Sequence, residues 1–235
     1  MKKMNKNGKL VVLEGIDGSG KGTQAKLLRE RLAREGFETE AISFPQYGKK
    51  SAGLIEEYLN GTYEDVNPYA ASLFYAVDRF DASIEIRKLL DEGHIVILDR
   101  YVDSNAGHQG AKISDRSARG QFLKWLYDTE YRILGVPKPD IVLILTIDPA
   151  TAQLNVGKKD ARKYLKHGKT HDILEADKTH LENAQDSYLW LAKKHPENHI
   201  LINCMKKRKL MPPEKIHEKI WSAIAPIINM TNNKV

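Results

Sequence analysis

Cysteine is nearly absent from this chain of 235 residues, in which Cys204 is the only one. A single cysteine excludes a disulfide within the chain and a zinc site built from several thiolates. Long apolar runs are lacking too, since the longest, residues 141–147, is interrupted by Thr146 and has about a third of the length of a membrane span. The N-terminal sequence MKKMNKNGK contains no apolar signal core. We therefore expect a soluble, cytoplasmic protein with no membrane partner.

The composition that remains is that of one compact domain. With 41% hydrophobic residues, the chain is long enough for one domain with a sizeable core and only just long enough for two domains. We expect a single domain at 9–230 with a basic tail at 1–8 and a second tail at 231–235. The net charge of +6 suits anionic ligands. Much of it lies in the polar segment GKKDARKYLKHGKT, which predicts a mobile basic lid at about 157–175.

The most specific motif runs from residue 9 to residue 24 and reads KLVVLEGIDGSGKGTQ. An apolar strand leads into GxxxxGK and then into a helix-forming stretch, which is typical of a phosphate-binding P-loop. Its glycines let backbone N–H groups turn inward, and the helix that follows points its positive end at the same anion. The motif predicts that the phosphates of a nucleoside triphosphate are bound by Gly15, Gly18, Ser19, Gly20, Lys21, Gly22 and Thr23.

One position in this loop departs from the usual pattern. Gly22 stands where most P-loops have the Ser or Thr whose hydroxyl binds Mg²⁺, and Thr23 would face about 100° away on a helix. A metal must then be held by water and phosphate oxygens or by a carboxylate elsewhere. Asp99 is the candidate carboxylate.

Alternation of apolar strands and helical stretches predicts an α/β fold of the P-loop NTPase kind. We expect a five-stranded parallel sheet of order 2-3-1-4-5 with helices on both faces. The predicted strands are 10–16, 40–44, 95–98, 141–147 and 200–203. The predicted helices are 21–35, 51–59, 68–92, 116–133, 176–194 and 213–228.

Charged residues follow the third strand, where ligands of such sheets bind. Asp99 could hold Mg²⁺ or its waters, and Arg100 could bridge the donor and acceptor phosphates; the alternative is a surface ion pair. Tyr75 and Arg79 lie one helical turn apart, so that a ring and a guanidinium could meet a base together. Without that context, Tyr75 would be a core residue and Arg79 would pair with Asp78 or Asp81 at the surface.

With these residues assembled, the chain resembles the thymidylate kinase (dTMP kinase) family from about residue 9 to about residue 190. The motifs that carry the resemblance are GIDGSGK, FPQYG, LFYAVDR, DRYVDSNAGHQG and HDILEADKTHLENAQDSYLWLA. It implies transfer of a phosphoryl group from ATP to dTMP, with Mg²⁺, usually by a homodimer. We expect no nucleic acid as partner, because the basic residues cluster at the lid and at the termini and carry no RNA- or DNA-binding motif.

The resemblance also implies roles for individual residues. Asp17 would approach the sugar 3′-hydroxyl, Tyr75 would stack on thymine with Arg79 at the base edge, and Arg100 would grip the acceptor phosphate. Since Gly18 replaces an arginine that one branch of the family has in the loop, the lid would supply it, with Arg162 the candidate and Lys158, Lys159 and Lys163 as substitutes. The implied substrate-binding set is Asp17, Phe44, Tyr47, Tyr75, Arg79, Arg100, Asn105, His108 and Gln109. The implied catalytic set is Lys21, Asp99, Arg100 and Arg162.

Departures from the family pattern keep alternatives open. Tyr47 replaces a phosphate-binding arginine, for which Lys49 or Lys50 could substitute, and His108 replaces a tyrosine that packs against the sugar. A kinase for another nucleoside or nucleotide is one alternative, and a non-catalytic ATP-binding or nucleic-acid-associated protein is another. A third, metal hydrolysis, is disfavoured because the histidines at 167, 171 and 180 provide no HxxxH pair on one helix and no carboxylate cluster accompanies them. We expect these histidines to be solvated at the surface.

Overall fold

The computed structural model describes residues 8–157 and 178–229. Its centre is a parallel sheet of five strands in the order β2-β3-β1-β4-β5, as the sequence predicts. The strands are β1 (Lys9–Glu14), β2 (Thr39–Ser43), β3 (Ile95–Asp99), β4 (Ile141–Thr146) and β5 (His199–Asn203).

Helices cover both faces of this sheet. They are α1 (Lys21–Arg34), α2 (Gly53–Leu59), α3 (Pro68–Asp91), α4 (Val102–His108), α5 (Arg116–Tyr127), α6 (Pro149–Val156), α7 (Lys178–Lys194) and α8 (Pro213–Asn229). Within the described ranges, none of them is both long and apolar enough to cross a membrane.

The sheet separates two hydrophobic cores because side chains alternate along each strand. Leu10 and Val12 of β1 belong to one core, and Val11 and Leu13 belong to the other. The first core is completed mainly by α3, α4, α5 and α7, and the second by α1 and α8. Near-continuous apolar strands are what a sheet covered on both faces requires.

Several small elements were not predicted. The short α4 lies within DRYVDSNAGHQG, whose residues favour a loop, and it forms because its start is held by a buried carboxylate, Glu14 Oε1 accepting from Tyr101 N at 2.8 Å. The helix α6 does have a sequence signature, since Asp148 caps it, accepting from Thr151 N at 3.0 Å, and a proline opens it. A hairpin joins β6 (Met205–Lys206) to β7 (Lys209–Leu210).

The predicted helix at 116–133 also changes character part-way. After α5 the chain continues as a widened π-helical turn, Asp128–Ile133. Such turns are frequent at functional sites. This one brings Glu130 to full burial.

Candidate active site

The loop between β1 and α1 has the backbone form that its glycines predict. Gly18 and Gly20 have φ angles of +79° and +92°, which side-chain-bearing residues rarely adopt. Lys21 begins α1, and its Nζ donates to the carbonyls of Gly15 at 2.8 Å and Ile16 at 3.0 Å. The ammonium therefore lies across the loop whose N–H groups precede the helix, as a phosphate cradle requires.

Burial and nearby charge lower the basicity of this lysine. Desolvation, with a further contribution from Arg100, lowers the pKa of Lys21 from 10.5 to about 8, against the opposing charges of Asp17 and Asp99. The site thus holds two cations close enough to repel each other. An anion bound between them would relieve that repulsion.

The helix α6 closes the space beside Gly18. A Cβ added at this position would lie 2.1 Å from the Ala152 carbonyl oxygen, and Asn155 Nδ2 donates to the Gly18 carbonyl at 3.1 Å. A longer side chain at position 18 would displace α6. The glycine that departs from one branch of the family is thus required here by packing.

Asp99 lies beside the other unusual glycine. Parallel pairing places Asp99 opposite Leu13 of β1, which brings the end of β3 next to the phosphate loop. A Cβ on Gly22 would be 3.2 Å from Asp99 Oδ2. Thr23 is exposed, as the helical geometry predicts. A carboxylate oxygen therefore lies next to position 22, at which most P-loops carry the side chain of a Ser or Thr.

All predicted substrate-binding residues line one pocket next to this loop. They come from the phosphate loop, the segment after β2, helix α3 and the segment that contains α4. Pro45, Leu59 and Ser104 complete the lining and were not predicted. The predicted residues at the pocket wall are Asp17, Phe44, Tyr47, Tyr75, Arg79, Arg100, Asn105, His108 and Gln109.

Arg100 is the cation at the end of this pocket nearest the phosphate loop. Its Nη2 donates to Asp17 Oδ1 at 2.7 Å, and its Nη1 lies 3.0 Å from His108 Nε2 and 3.4 Å from Ser104 Oγ. Burial lowers the pKa of Arg100, but Asp17 and other anions outweigh it and raise the pKa well above its usual value. The residue also has a φ of +73°, a strained conformation of the kind that concentrates at functional sites.

Arg79 is buried in the pocket wall and does not form the surface ion pair that was the alternative interpretation. Its Nε and Nη2 each donate at 2.6 Å to the carboxylate of Glu130, and its Nη1 donates to the Tyr101 carbonyl at 3.3 Å. Asn105 Nδ2 lies 3.5 Å from the same carboxylate. Two-point contact fixes the plane of the guanidinium.

Two neutral side chains add recognition capacity to the pocket. Tyr75 packs edge-on against Tyr58, with ring centroids 6.5 Å apart. Gln109 is 1% exposed, and its Oε1 has no hydrogen-bond partner among the described residues. A buried amide oxygen without a partner is costly, so a ligand that donates to it gains affinity.

Glu14 is a buried carboxyl group that no sequence motif indicated. It ends β1, is fully buried, and accepts from Tyr101 N, from Ser104 Oγ at 2.7 Å and from Tyr188 Oη at 2.9 Å. Burial, followed by repulsion from Asp103, raises its pKa to about 7. It joins the phosphate loop to α4 and α7.

His180 contradicts the expectation of a solvated surface histidine. It is 8% exposed, and its Nε2 lies 3.2 Å from His108 Nδ1.

The histidines at 167 and 171 lie outside the described residues, as do Arg162, Lys158, Lys159 and Lys163 of the predicted lid. Lys49, a predicted substitute for the phosphate-binding arginine, is exposed and donates to Gln46 Oε1 at 2.6 Å. It is not among the residues that line the pocket.

Comparisons with known proteins agree on one family. The family model for thymidylate kinase matches residues 13–219. Thymidylate kinase of Mycobacterium tuberculosis (strain ATCC 25618 / H37Rv) is 33% identical over 171 residues, covering 72% of this chain and 78% of the relative. That of Thermoanaerobacter sp. (strain X514) is 31% identical over 220 residues, covering 92% and 97%. The solved thymidylate kinase from Candida albicans has the same fold, with a TM-score of 0.72 at 24% identity over 95% of this chain and 93% of that one.

Proposed function

Because the chain belongs to the thymidylate kinase family and is therefore an enzyme that phosphorylates dTMP, we propose that the pocket beside the phosphate loop is its dTMP site and that ATP is the donor. The observation that carries the proposal is the convergence of Asp17, Arg79 and Arg100 on one pocket at the P-loop edge of the sheet. Nothing in the comparisons favours a non-catalytic protein or another acceptor.

On the acceptor side, the proposal assigns recognition of the nucleotide to side chains that are already fixed. Tyr75 stacks on thymine, while Arg79 is held in one plane by Glu130 and reaches the base edge. Gln109 Oε1, which has no hydrogen-bond partner within the described ranges, suits a donor on the ligand. Asp17 approaches the sugar hydroxyl, and Arg100 binds the acceptor phosphate. Fixed groups lose little freedom on binding and therefore contribute more affinity.

On the donor side, the proposal assigns binding of the ATP phosphates mainly to positively charged side chains and loop N–H groups. Phosphoryl transfer needs positioning and charge stabilisation more than covalent chemistry. The loop glycines, Ser19, Gly22 and Thr23 surround the ATP phosphates, Lys21 neutralises them, and Arg100 bridges donor and acceptor. Arg162 from the lid at about 157–175 is our candidate for a further catalytic cation. The acceptor phosphate is itself an anionic nucleophile, so no side chain has to act as a strong base.

The residues present fit a bound Mg²⁺. Asp99 offers the hard oxygen donor that Mg²⁺ prefers, and Gly22 leaves room beside that carboxylate. When bound, Mg²⁺ neutralises phosphate charge during transfer. We propose that Asp99 is the protein group that holds the ion or its waters.

We also propose that the enzyme is a homodimer. Helix α3 carries an apolar stripe on its outer face, made of Tyr69, Leu73, Val77, Phe80 and Ile84, which are between 39% and 65% exposed. Their spacing of three or four residues puts them on one side of the helix. A contiguous exposed apolar stripe marks an association surface, and a second copy would cover it with an identical stripe.

A cytoplasmic location is the remaining part of the proposal. The lone cysteine, Cys204, is buried, and burial raises the pKa of its thiol to about 11. A protein with one inert thiol and no need of a disulfide suits a reducing compartment.

The assignment of the acceptor site is tested with Arg100→Ala in a coupled assay with ATP and dTMP. Removing one preorganised cation should lower turnover on the order of a hundredfold. The matched control is Arg116→Ala, which changes an exposed arginine at the start of α5 and should keep wild-type turnover. Equal activity of the two variants would refute the assignment.

A further inference from the structure

We propose that His180 is a positioning residue for Arg100, on which it acts through His108. The inference rests on the proposed function, since it assumes that Arg100 binds the acceptor phosphate. It assigns a role to a histidine on α7 that itself does not line the pocket.

The first link is the contact between Arg100 and His108. Arg100 Nη1 and His108 Nε2 are 3.0 Å apart. A guanidinium has only donors, so His108 Nε2 must accept this hydrogen bond. The proton of the neutral ring is then on Nδ1.

The second link follows from that assignment. His108 Nδ1 is 3.2 Å from His180 Nε2, and since Nδ1 carries the proton, His180 Nε2 must be the acceptor. One hydrogen bond thus dictates the direction of the next. The chain of donors and acceptors runs from Arg100 through His108 to His180.

The surroundings keep His108 neutral and in one orientation. Burial and the charge of Arg100 lower the pKa of His108 well below its usual value. The ring lies nearly parallel to that of His180, with an angle of 28° between the ring planes and centroids 5.4 Å apart, and it meets Tyr188 edge-on at 5.9 Å. Gly107 lets Tyr188 come this close, because a Cβ there would lie 2.4 Å from the tyrosine ring.

This arrangement gives Arg100 a second support besides Asp17. The Asp17 carboxylate holds Nη2 at 2.7 Å, and His108 holds Nη1, so the plane of the guanidinium is set from two sides. If His108 lost its acceptor on α7, its ring could take the other tautomer, and Nε2 would then donate toward Arg100 instead of accepting. Arg100 would remain tied to Asp17 but lose its orientation toward the pocket.

The test compares two substitutions at position 180. His180→Phe keeps an aromatic ring at this position but cannot accept a hydrogen bond. In His180→Gln the amide oxygen can take the place of Nε2 and accept from His108. Loss of one hydrogen bond that supports a charged group corresponds to about a tenfold weakening. We therefore expect His180→Phe to raise the Kd and KM for dTMP about tenfold and His180→Gln to restore both to within about twofold of wild type.

Controls separate positioning from a merely structural role. His195→Phe makes the same exchange just beyond the other end of α7, and it should leave the dTMP constants unchanged. The KM for ATP should stay the same in all variants, and in an Arg100→Ala background His180→Phe should cause no further loss of dTMP binding. A structural role would instead lower the melting temperature and the active fraction without a selective change for dTMP.

Two outcomes would overturn the inference. If His180→Phe has the dTMP constants of wild type, or if His180→Gln is as impaired as His180→Phe, the relay does not position Arg100. Either result leaves the proposed function intact, provided that wild type phosphorylates dTMP. A wild-type protein that neither binds nor phosphorylates dTMP would refute the proposed function first.

Discussion

Glu14 shows how a single buried residue connects the active site to pH. The three hydrogen bonds it accepts fix α4 and α7 against the phosphate loop. Its pKa is raised from 4.5 to about 7, so in the folded protein it binds a proton that the unfolded chain releases above about 4.5. Its contribution to stability is therefore fully present at low pH and is lost as the pH rises through 7.

Replacing Glu14 by Gln should remove this pH dependence, because the amide imitates the protonated carboxyl. The unfolding free energy of Glu14→Gln, relative to wild type, should rise between about pH 5 and pH 8 by on the order of 3 kcal/mol. Using the difference cancels groups with the opposite trend, such as His108, whose lowered pKa favours folding as pH rises. Urea unfolding at several pH values measures it, and a difference that is flat with pH would disprove the assignment.

Lys21 is the residue on which donor binding depends most directly. Its ammonium lies across the phosphate loop and donates to two loop carbonyls. Lys21→Ala should reduce kcat on the order of a hundredfold, as expected for loss of one preorganised charge. Steady-state kinetics with ATP and dTMP measure it. Lys26→Ala, an exposed lysine on the same helix, serves as the control, and similar kcat values would contradict the role.

At this scale the sequence predicts the pocket residues but not their partners. Asp17, Arg79 and Arg100 stand in motifs, and the structure brings them together. Glu130 and His180 have no such signature, since an acidic residue in a helix and an isolated histidine are usually exposed. Their burial arises from contacts more than 50 positions apart in the chain, between Arg79 and Glu130 and between His108 and His180.

Among the elements, the packing of α6 on the phosphate loop makes a sharp prediction. Gly18 and Gly20 both have positive φ, but a Cβ at position 20 would meet nothing within 4 Å, whereas one at position 18 would meet the Ala152 carbonyl. Alanine at either position should cost about 1 kcal/mol or more through backbone strain. Only Gly18→Ala should also displace α6.

Thermal unfolding of Gly18→Ala and Gly20→Ala measures this difference. We expect the melting temperature of Gly18→Ala to fall by several degrees more than that of Gly20→Ala. Crystal structures of the two variants would show whether α6 has moved. Identical melting temperatures would mean that α6 can move aside with no loss of stability.

The long strands and helices were predictable because their apolar patterns agree with their neighbours in the fold. The sheet order and all five strands follow that rule. The exceptions are short. In the β6–β7 hairpin, Lys207 and Arg208 adopt positive φ angles of 48° and 59°. Neither is the Asn or Gly from which such a turn is usually predicted. Helix α4 depends on the Glu14 carboxylate, which no local pattern reveals.

For the whole molecule, the apolar stripe on α3 predicts association of two copies. Ile84 is 65% exposed and is the last residue of this stripe, so a glutamate there would place charge in the proposed interface. We expect wild type to sediment as a dimer and Ile84→Glu as a monomer. Ile133→Glu is the matched control, because Ile133 is 61% exposed but lies outside α3, and this variant should remain dimeric. A monomeric wild type would contradict the proposal.

The substrate of the whole enzyme is the claim on which the other assignments depend. Its most direct test is an acceptor panel, in which the purified protein and Mg-ATP are given dTMP, dCMP, dGMP or UMP at matched concentrations. Because its pocket combines Tyr75, Arg79, Asn105 and Gln109, the enzyme should phosphorylate dTMP far faster than the other three nucleotides. Equal rates for all four acceptors would contradict the account.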